Sequence, residues 1–207
     1  MKKDLIELVF VLDDSGSMWS LTKDTINNYN ELLEERRKEG NCIVSTIVFN
    51  KYRKVIHDRI SIDKVKNITT EDYIAGGSTA LYDAVGATID EIGRALNNTP
   101  EEERPEKVMF VIITDGEENA SIEYSQKDVL ERIRHQKEKY NWDFSFIGAN
   151  IDAKKAANDI GISLEDAFSY SNNSIGTQSV YKSLDNAIHS YRETKAIDKM
   201  YLNNNII

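Results

Sequence analysis

Apolar residues along the chain follow two alternating rhythms. Four short, nearly unbroken runs are LIELVFVL (5–12), CIVSTIVFN (42–50), VMFVIIT (108–114) and WDFSFIGAN (142–150). They are rich in β-branched and aromatic residues and too short for ordinary helices, so they predict strands buried on both faces. VMFVIIT is the most apolar, which predicts a central place. RKVIHDRI (53–60) and AFSYS (167–171) are two further strand candidates. Helical spacing fills the gaps. In 20–39, Leu21, Ile26, Tyr29, Leu32 and Leu33 lie near one face, and Gly40 supplies a stop. From 80 to 96, Leu81, Ala84, Val85, Thr88, Ile89 and Ile92 form another face. A charged surface helix is predicted over 125–139, a short one over 152–160, and a last one over 175–195 with Val180, Leu184, Ala187, Ile188 and Tyr191 inward. Residues 61–78 and 97–106 read as connections.

Asn50-Lys51-Tyr52 alone separates the second and third strands, so those two are expected to be an antiparallel hairpin. Elsewhere strand and helix alternate, which predicts an α/β fold: a doubly wound, mainly parallel sheet with helices on both faces. One domain is expected over 1–195, followed by a short tail, 196–207, that ends apolar.

In such a sheet ligands bind beyond the carboxyl ends of the strands, where the strand order reverses. The first strand runs into Asp13-Asp14-Ser15-Gly16-Ser17, and the strong central strand into Asp115-Gly116-Glu117-Glu118-Asn119. Between them Gly76-Gly77-Ser78-Thr79 opens a helix. Taken singly, each loop is explained by turns and helix caps, with Ser17, Ser20 and Thr79 as the capping residues. Taken together, they bring carboxylates and hydroxyls to one predicted edge.

Composition narrows the classes. The 207-residue chain is 40% hydrophobic, enough for a real core, and has only two prolines. Its 35 acidic against 26 basic residues give a net charge of −9, which argues against nucleic acid or an anionic membrane as the main partner. Cys42 is the only cysteine, so neither an intrachain disulfide nor a cysteine zinc cage is available. His57, His135 and His189 lack ligand spacing. The N-terminal apolar run is broken by Asp4 and Glu7 and is strand-length, not a signal peptide, and no stretch approaches a membrane span. A cytoplasmic location is the expectation.

Hard divalent ions take oxygen ligands, and Mg2+ takes about six of them near ~2.1 Å. Asp13-x-Ser15-x-Ser17 on a tight loop points alternate side chains at one place, and Thr79 and Asp115 add oxygens from two other loops. Three neutral hydroxyls with two carboxylates acting mostly through water would leave the ion much of its charge and an open position. A carboxylate from another protein suits that position. A Mg2+-dependent phosphohydrolase or phosphotransferase is the alternative, since it too ends a strand in aspartate. Ser15, however, stands where its second carboxylate belongs, and Lys107 precedes its strand. A serine hydrolase lacks a histidine at a strand end. GGST lacks the lysine and spacing of a phosphate-binding P-loop.

These residues resemble the metal-ion-dependent adhesion site of von Willebrand factor type A domains, a family that includes integrin inserted domains and intracellular bacterial members. FVLDDSGSM, GGSTALYDAV and VIITDGEEN carry the resemblance, which runs from about residue 5 to residue 195. It implies a Rossmann-like sheet with one antiparallel edge strand. It also implies direct contact of Ser15, Ser17 and Thr79 with Mg2+ (or Mn2+ or Ca2+), with Asp13 and Asp115 direct or through water. In integrin relatives a change of metal ligand is coupled to a shift of the last helix, which here is 175–195. The implied function is metal-dependent capture of a protein partner that supplies a carboxylate, without catalysis. Asp14, where many intracellular relatives have Arg, together with Glu117 and Glu118, is expected to make an acidic rim, favouring basic residues around the partner's carboxylate. Trp19 is expected on the rim, and Met18 and Tyr82 in the core. Asn150 is expected to cap the helix that follows it.

Overall fold

The computed structural model describes residues 1–149 and 151–194. Six strands make one sheet: β1 (Lys2–Asp13), β2 (Cys42–Phe49), β3 (Arg53–Ser61), β4 (Pro105–Thr114), β5 (Asp143–Ala149) and β6 (Ala167–Tyr170). Five α-helices flank it: α1 (Thr22–Glu39), α2 (Leu81–Asn97), α3 (Gln126–Tyr140), α4 (Ala153–Asp159) and α5 (Ser174–Thr194). The sheet order is β3-β2-β1-β4-β5-β6. Every pairing is parallel except β2 with β3, the predicted hairpin, which puts the one antiparallel strand at an edge. This is the Rossmann-like, doubly wound arrangement. The two crossovers that leave β1 and β4 diverge to opposite sides, so the switch point lies between the carboxyl ends of those strands.

Strand alternation builds two cores. On β1, Leu8, Phe10 and Leu12 face α1 and α5 and pack with Tyr29, Leu33, Val180 and Leu184. Val9 and Val11 face the other way, into a layer formed with Ala84, Val85 and Ile89 of α2, Val129 and Ile133 of α3, and Ala157 of α4. A strand buried on both faces cannot alternate polar with apolar, which is why β1 from Leu8 to Leu12 and β4 from Val108 to Ile113 are continuous apolar runs. Phe110 stacks between Trp142 and Phe144, with ring centroids 5.4 and 5.0 Å apart, tying β4 to β5. Truncating a ring buried like Phe110 costs about 3–5 kcal/mol.

Several boundaries differ from expectation. Residues Gly16–Leu21 form a 3-10 turn, and α1 starts only at Thr22. Ser20 therefore caps nothing. The cap of α4 is Asp152, whose carboxylate accepts from the Lys155 amide at 3.0 Å, while Asn150 lies outside the described residues. So does the tail, 196–207. Gly40 ends α1 as expected, at φ 65°. No helix among the described residues is long and apolar enough to cross a membrane.

Candidate metal centre

The loops after β1 and β4 flank the switch point, and the segment before α2 closes over them. Backbone hydrogen bonds lock the three together. The Asp14 amide donates to the Phe49 carbonyl (2.8 Å), the Gly76 amide to the Asp14 carbonyl (2.8 Å), and the Gly16 amide to the Gly77 carbonyl (3.0 Å). Gly77 sits at φ 79°, a conformation in which a side chain is strained. The Thr79 amide donates to Asn119 Oδ1 (2.9 Å), and the Asn119 amide returns a bond to the Thr79 carbonyl (3.0 Å). Two carboxylates fix the long loop after β4. Glu118 accepts from the amides of Tyr82, Ala120 and Ser121, and Asp83 accepts from those of Ile122, Glu123 and Tyr124.

Within this frame the five motif residues form one oxygen cluster. Ser15 Oγ and Ser17 Oγ are 3.1 Å apart, and the Ser17 hydroxyl donates to Asp115 Oδ1. Asp13 Oδ1 accepts from the Ser15 amide at 2.7 Å, and Oδ2 accepts from the Thr114 hydroxyl. Gly116 measures how close the loops come. A Cβ placed there would lie 2.8 Å from Thr79 Oγ1 and 3.6 Å from both Asp13 Oδ2 and Ser15 Oγ. Oxygens from two loops thus close on Gly116 of the third, and only a glycine leaves that space clear. None of these hydroxyls is spent on a helix cap. Ser15 precedes the 3-10 turn without a side-chain capping bond, and Leu21 and Ala80 hold the cap positions of α1 and α2. A true capping box occurs elsewhere, at Ser125 and Asp128. The helix-cap reading of these hydroxyls therefore fails, although the Ser15 amide's bond to Asp13 Oδ1 is a turn contact.

The electrostatics favour a cation. Asp13, Ser15, Thr79 and Asp115 are buried. Burial pushes the Asp13 and Asp115 carboxyls above their ordinary range, and what offsets it is hydroxyl, amide and Asn172 donors rather than a lysine or arginine. Two buried carboxylates bonded only to neutral donors are the environment a divalent cation stabilises. Among the described residues no group of three or more His, Cys, Asp or Glu could hold a metal. A cation here would be served by the hydroxyls together with the lone pairs that Asp13 and Asp115 keep free beside their protein donors, directly or through water. That donor set fits a hard, oxygen-seeking ion.

The expected rim is redistributed. Asp14 is only 5% exposed; its carboxyl faces inward near the Ile74 amide, and burial raises it to about 6. It is not a rim residue, because its backbone is clamped between β2 and Gly76. Glu118 is committed to the loop bonds given above. Glu117 is exposed, and Trp19 is 76% exposed, while Met18 is buried and Tyr82 packs against the α2 core layer. Other residues of the site carried no sequence signal. Thr114 holds Asp13, the Tyr73 hydroxyl donates to the Asp13 carbonyl, and Asn172 Nδ2 donates to Asp115 Oδ2 at 3.0 Å.

A family model for the von Willebrand factor type A domain matches residues 7–183. The chain belongs to the von Willebrand factor type A domain family. The matched span holds all five oxygen donors. A search among curated proteins finds no match for this domain. Solved structures that share its fold include the PilB minor pilin from Streptococcus sanguinis, with TM-score 0.63 and 13% identity, covering 89% of this chain and 61% of the pilin. A von Willebrand factor type A protein from Catenulispora acidiphila superposes with TM-score 0.57 and 15% identity, over 88% of this chain and 42% of that one. Proximal thread matrix protein 1 from the mussel byssus, solved with a zinc-occupied adhesion-site motif, gives TM-score 0.58 and 17% identity over 87% and 45%. The von Willebrand factor A domain described here thus spans less than two thirds of each of these three structures.

Proposed function

We propose that this von Willebrand factor A domain is a protein-binding module that holds its partner through a divalent ion, Mg2+ by preference, seated among Asp13, Ser15, Ser17, Thr79 and Asp115. The observation that carries this reading is the convergence of the Thr79, Asp13 and Ser15 oxygens, from two loops, on Gly116 of a third, next to Asp115. Three of the five donors are neutral hydroxyls, and both carboxylates share their charge with protein donors. An ion so held keeps most of its charge and attracts an anionic ligand, and a partner's Asp or Glu supplies one. With Asp14 turned inward and Glu118 bonded to the loop, Glu117 is the one exposed carboxylate of the three expected on the rim. Little then repels an acidic ligand, and the need for basic residues around it is correspondingly weaker.

The module is proposed to do no chemistry of its own. His57 is bonded to Thr46 in the β2–β3 layer, His189 to Glu39, and His135 packs on Tyr140, so none stands beside Ser15 or Ser17 as a base. Asp13, with both oxygens engaged, is poorly placed as the nucleophile of a phosphotransferase. The test is capture of a protein partner by immobilised domain in Mg2+, beside its Ser15→Ala twin. Retention by the parent alone, with release by EDTA and competition by free acetate, supports the proposal. Retention that survives both EDTA and Ser15→Ala refutes it.

A further inference from the structure

We infer that Asn172 is a positioning residue of the metal site, reaching it from a fourth loop that the adhesion-site motif does not include. The inference rests on the metal-binding reading above. Asn172 lies between β6 and α5, and its Nδ2 donates to Asp115 Oδ2 at 3.0 Å. A carboxylate only accepts hydrogen bonds, so the amide nitrogen must be the atom that faces it. The other amide atom is the notable one. Asn172 Oδ1 is buried and has no hydrogen-bond partner in the protein. Such an orphaned acceptor is uncommon in a folded chain.

The two halves of the side chain have complementary tasks. Nδ2 and the Ser17 hydroxyl hold one oxygen each of Asp115. That grip fixes the orientation of Asp115, which would reach an ion directly or through water. Oδ1 is then an acceptor for such a water, whose protons are made strong donors by the cation. The mount is rigid. The Asn173 amide donates to the Ser171 carbonyl at 2.7 Å, the Thr177 amide to the Asn173 carbonyl at 2.9 Å, and the Gly176 amide to Asn173 Oδ1 at 2.9 Å. A Cβ on Gly176 would come within 2.0 Å of the Ser171 carbonyl oxygen, so the turn closes only with glycine there. The Ser174 hydroxyl ties the same turn to Asp24 of α1 at 2.6 Å. Asn172 thereby connects the start of α5 to the ion's surroundings.

The experiment uses the full chain, stripped with EDTA and titrated calorimetrically with Mg2+ and with Mn2+. Asn172→Ala and Asn172→Leu are each expected to weaken binding about tenfold, the usual scale for losing a group behind a metal ligand. Asn172→Asp keeps an acceptor oxygen but cannot donate to Asp115, so it is expected to recover only part of the loss, binding about threefold more tightly than Asn172→Ala. It should also melt lower than the parent in EDTA, where two carboxylates face each other, and regain that loss when the ion binds. A packing role would not produce that split, because leucine fills the space and aspartate adds nothing to it. Binding by Asn172→Ala and Asn172→Leu within twofold of the parent, or equal losses in Asn172→Asp and Asn172→Ala, overturns the inference and leaves the metal site standing. A parent that binds neither ion overturns both.

Discussion

Gly116→Ala probes the metal centre without removing a single oxygen from it. The added methyl would lie 2.8 Å from Thr79 Oγ1, whereas ordinary contacts begin at 3.4 Å, so the hydroxyl must retreat by roughly half an ångström. Metal ligands tolerate displacements of only about 0.2 Å. Thr79 is therefore lost as a ligand or held at strained distance, and the methyl crowds Asp13 and Ser15 as well. An effect of this kind is worth about ten- to a hundredfold in affinity, or about 1.4–2.8 kcal/mol. The fold should survive. Gly116 is not at positive φ; overpacking costs about 1–3 kcal/mol, and alanine recovers about 0.4–1 kcal/mol through the unfolded state. Melting in EDTA then falls by no more than about 10 °C for a domain of this size. With ion at a hundred times the parent's Kd, the parent gains about 2.7 kcal/mol, or about 5–10 °C. A hundredfold weaker variant at that concentration gains only about 1 °C. Melting curves with and without Mg2+ read both numbers. An equal Mg2+ shift in parent and variant would refute the placing of the ion beside Gly116.

Trp19→Ala removes a ring that is 76% exposed, so ion affinity should stay within about twofold and stability within about 0.5 kcal/mol while partner capture weakens; a matching loss of ion affinity would make Trp19 part of the site. Glu118→Ala frees the amides of Tyr82, Ala120 and Ser121 and the Ser121 hydroxyl, and should cost about 1.5–3 kcal/mol in chemical denaturation, with ion affinity falling as the loop loosens. Burial holds the His57 imidazole below its ordinary range, against the opposing influence of the Lys66 backbone and Asp72. The unfolded chain therefore binds the proton first, and stability falls as pH drops below about 6.5, by at most about 1.4 kcal/mol per pH unit. His57→Gln should flatten that part of the parent's pH profile, and an unchanged slope would contradict it.

The mainly parallel sheet, its antiparallel hairpin and the central place of β4 were legible because a parallel strand buried on both faces carries an unbroken apolar run, as β1 from Leu8 to Leu12 and β4 from Val108 to Ile113 do, and because Asn50-Lys51-Tyr52 is too short for anything but a hairpin; the order of the other strands was not. The five oxygen donors were legible because each ends a strand or opens a helix on the ligand edge. What escaped was set by packing across the sequence. Asp14 reads as a surface charge beside a metal loop, yet its amide is taken by Phe49 and its carbonyl by Gly76, and that clamp turns the side chain inward. Glu118 reads as rim, yet it lies where the first-turn amide of α2 needs an acceptor. Thr114 looks like the last residue of an apolar run, and its bond to Asp13 spans 101 positions. Asn172 sits in SNNS, a stretch with every mark of a turn and none of a ligand.

The proposed function requires a divalent ion among these loops. Calorimetric titration of the EDTA-stripped protein with Mg2+, beside Ser15→Ala, tests it most directly. One site in the parent, weakened at least about tenfold in a variant that melts like the parent in EDTA, is the predicted result. Absence of binding in the parent, or undiminished binding by Ser15→Ala, would contradict it.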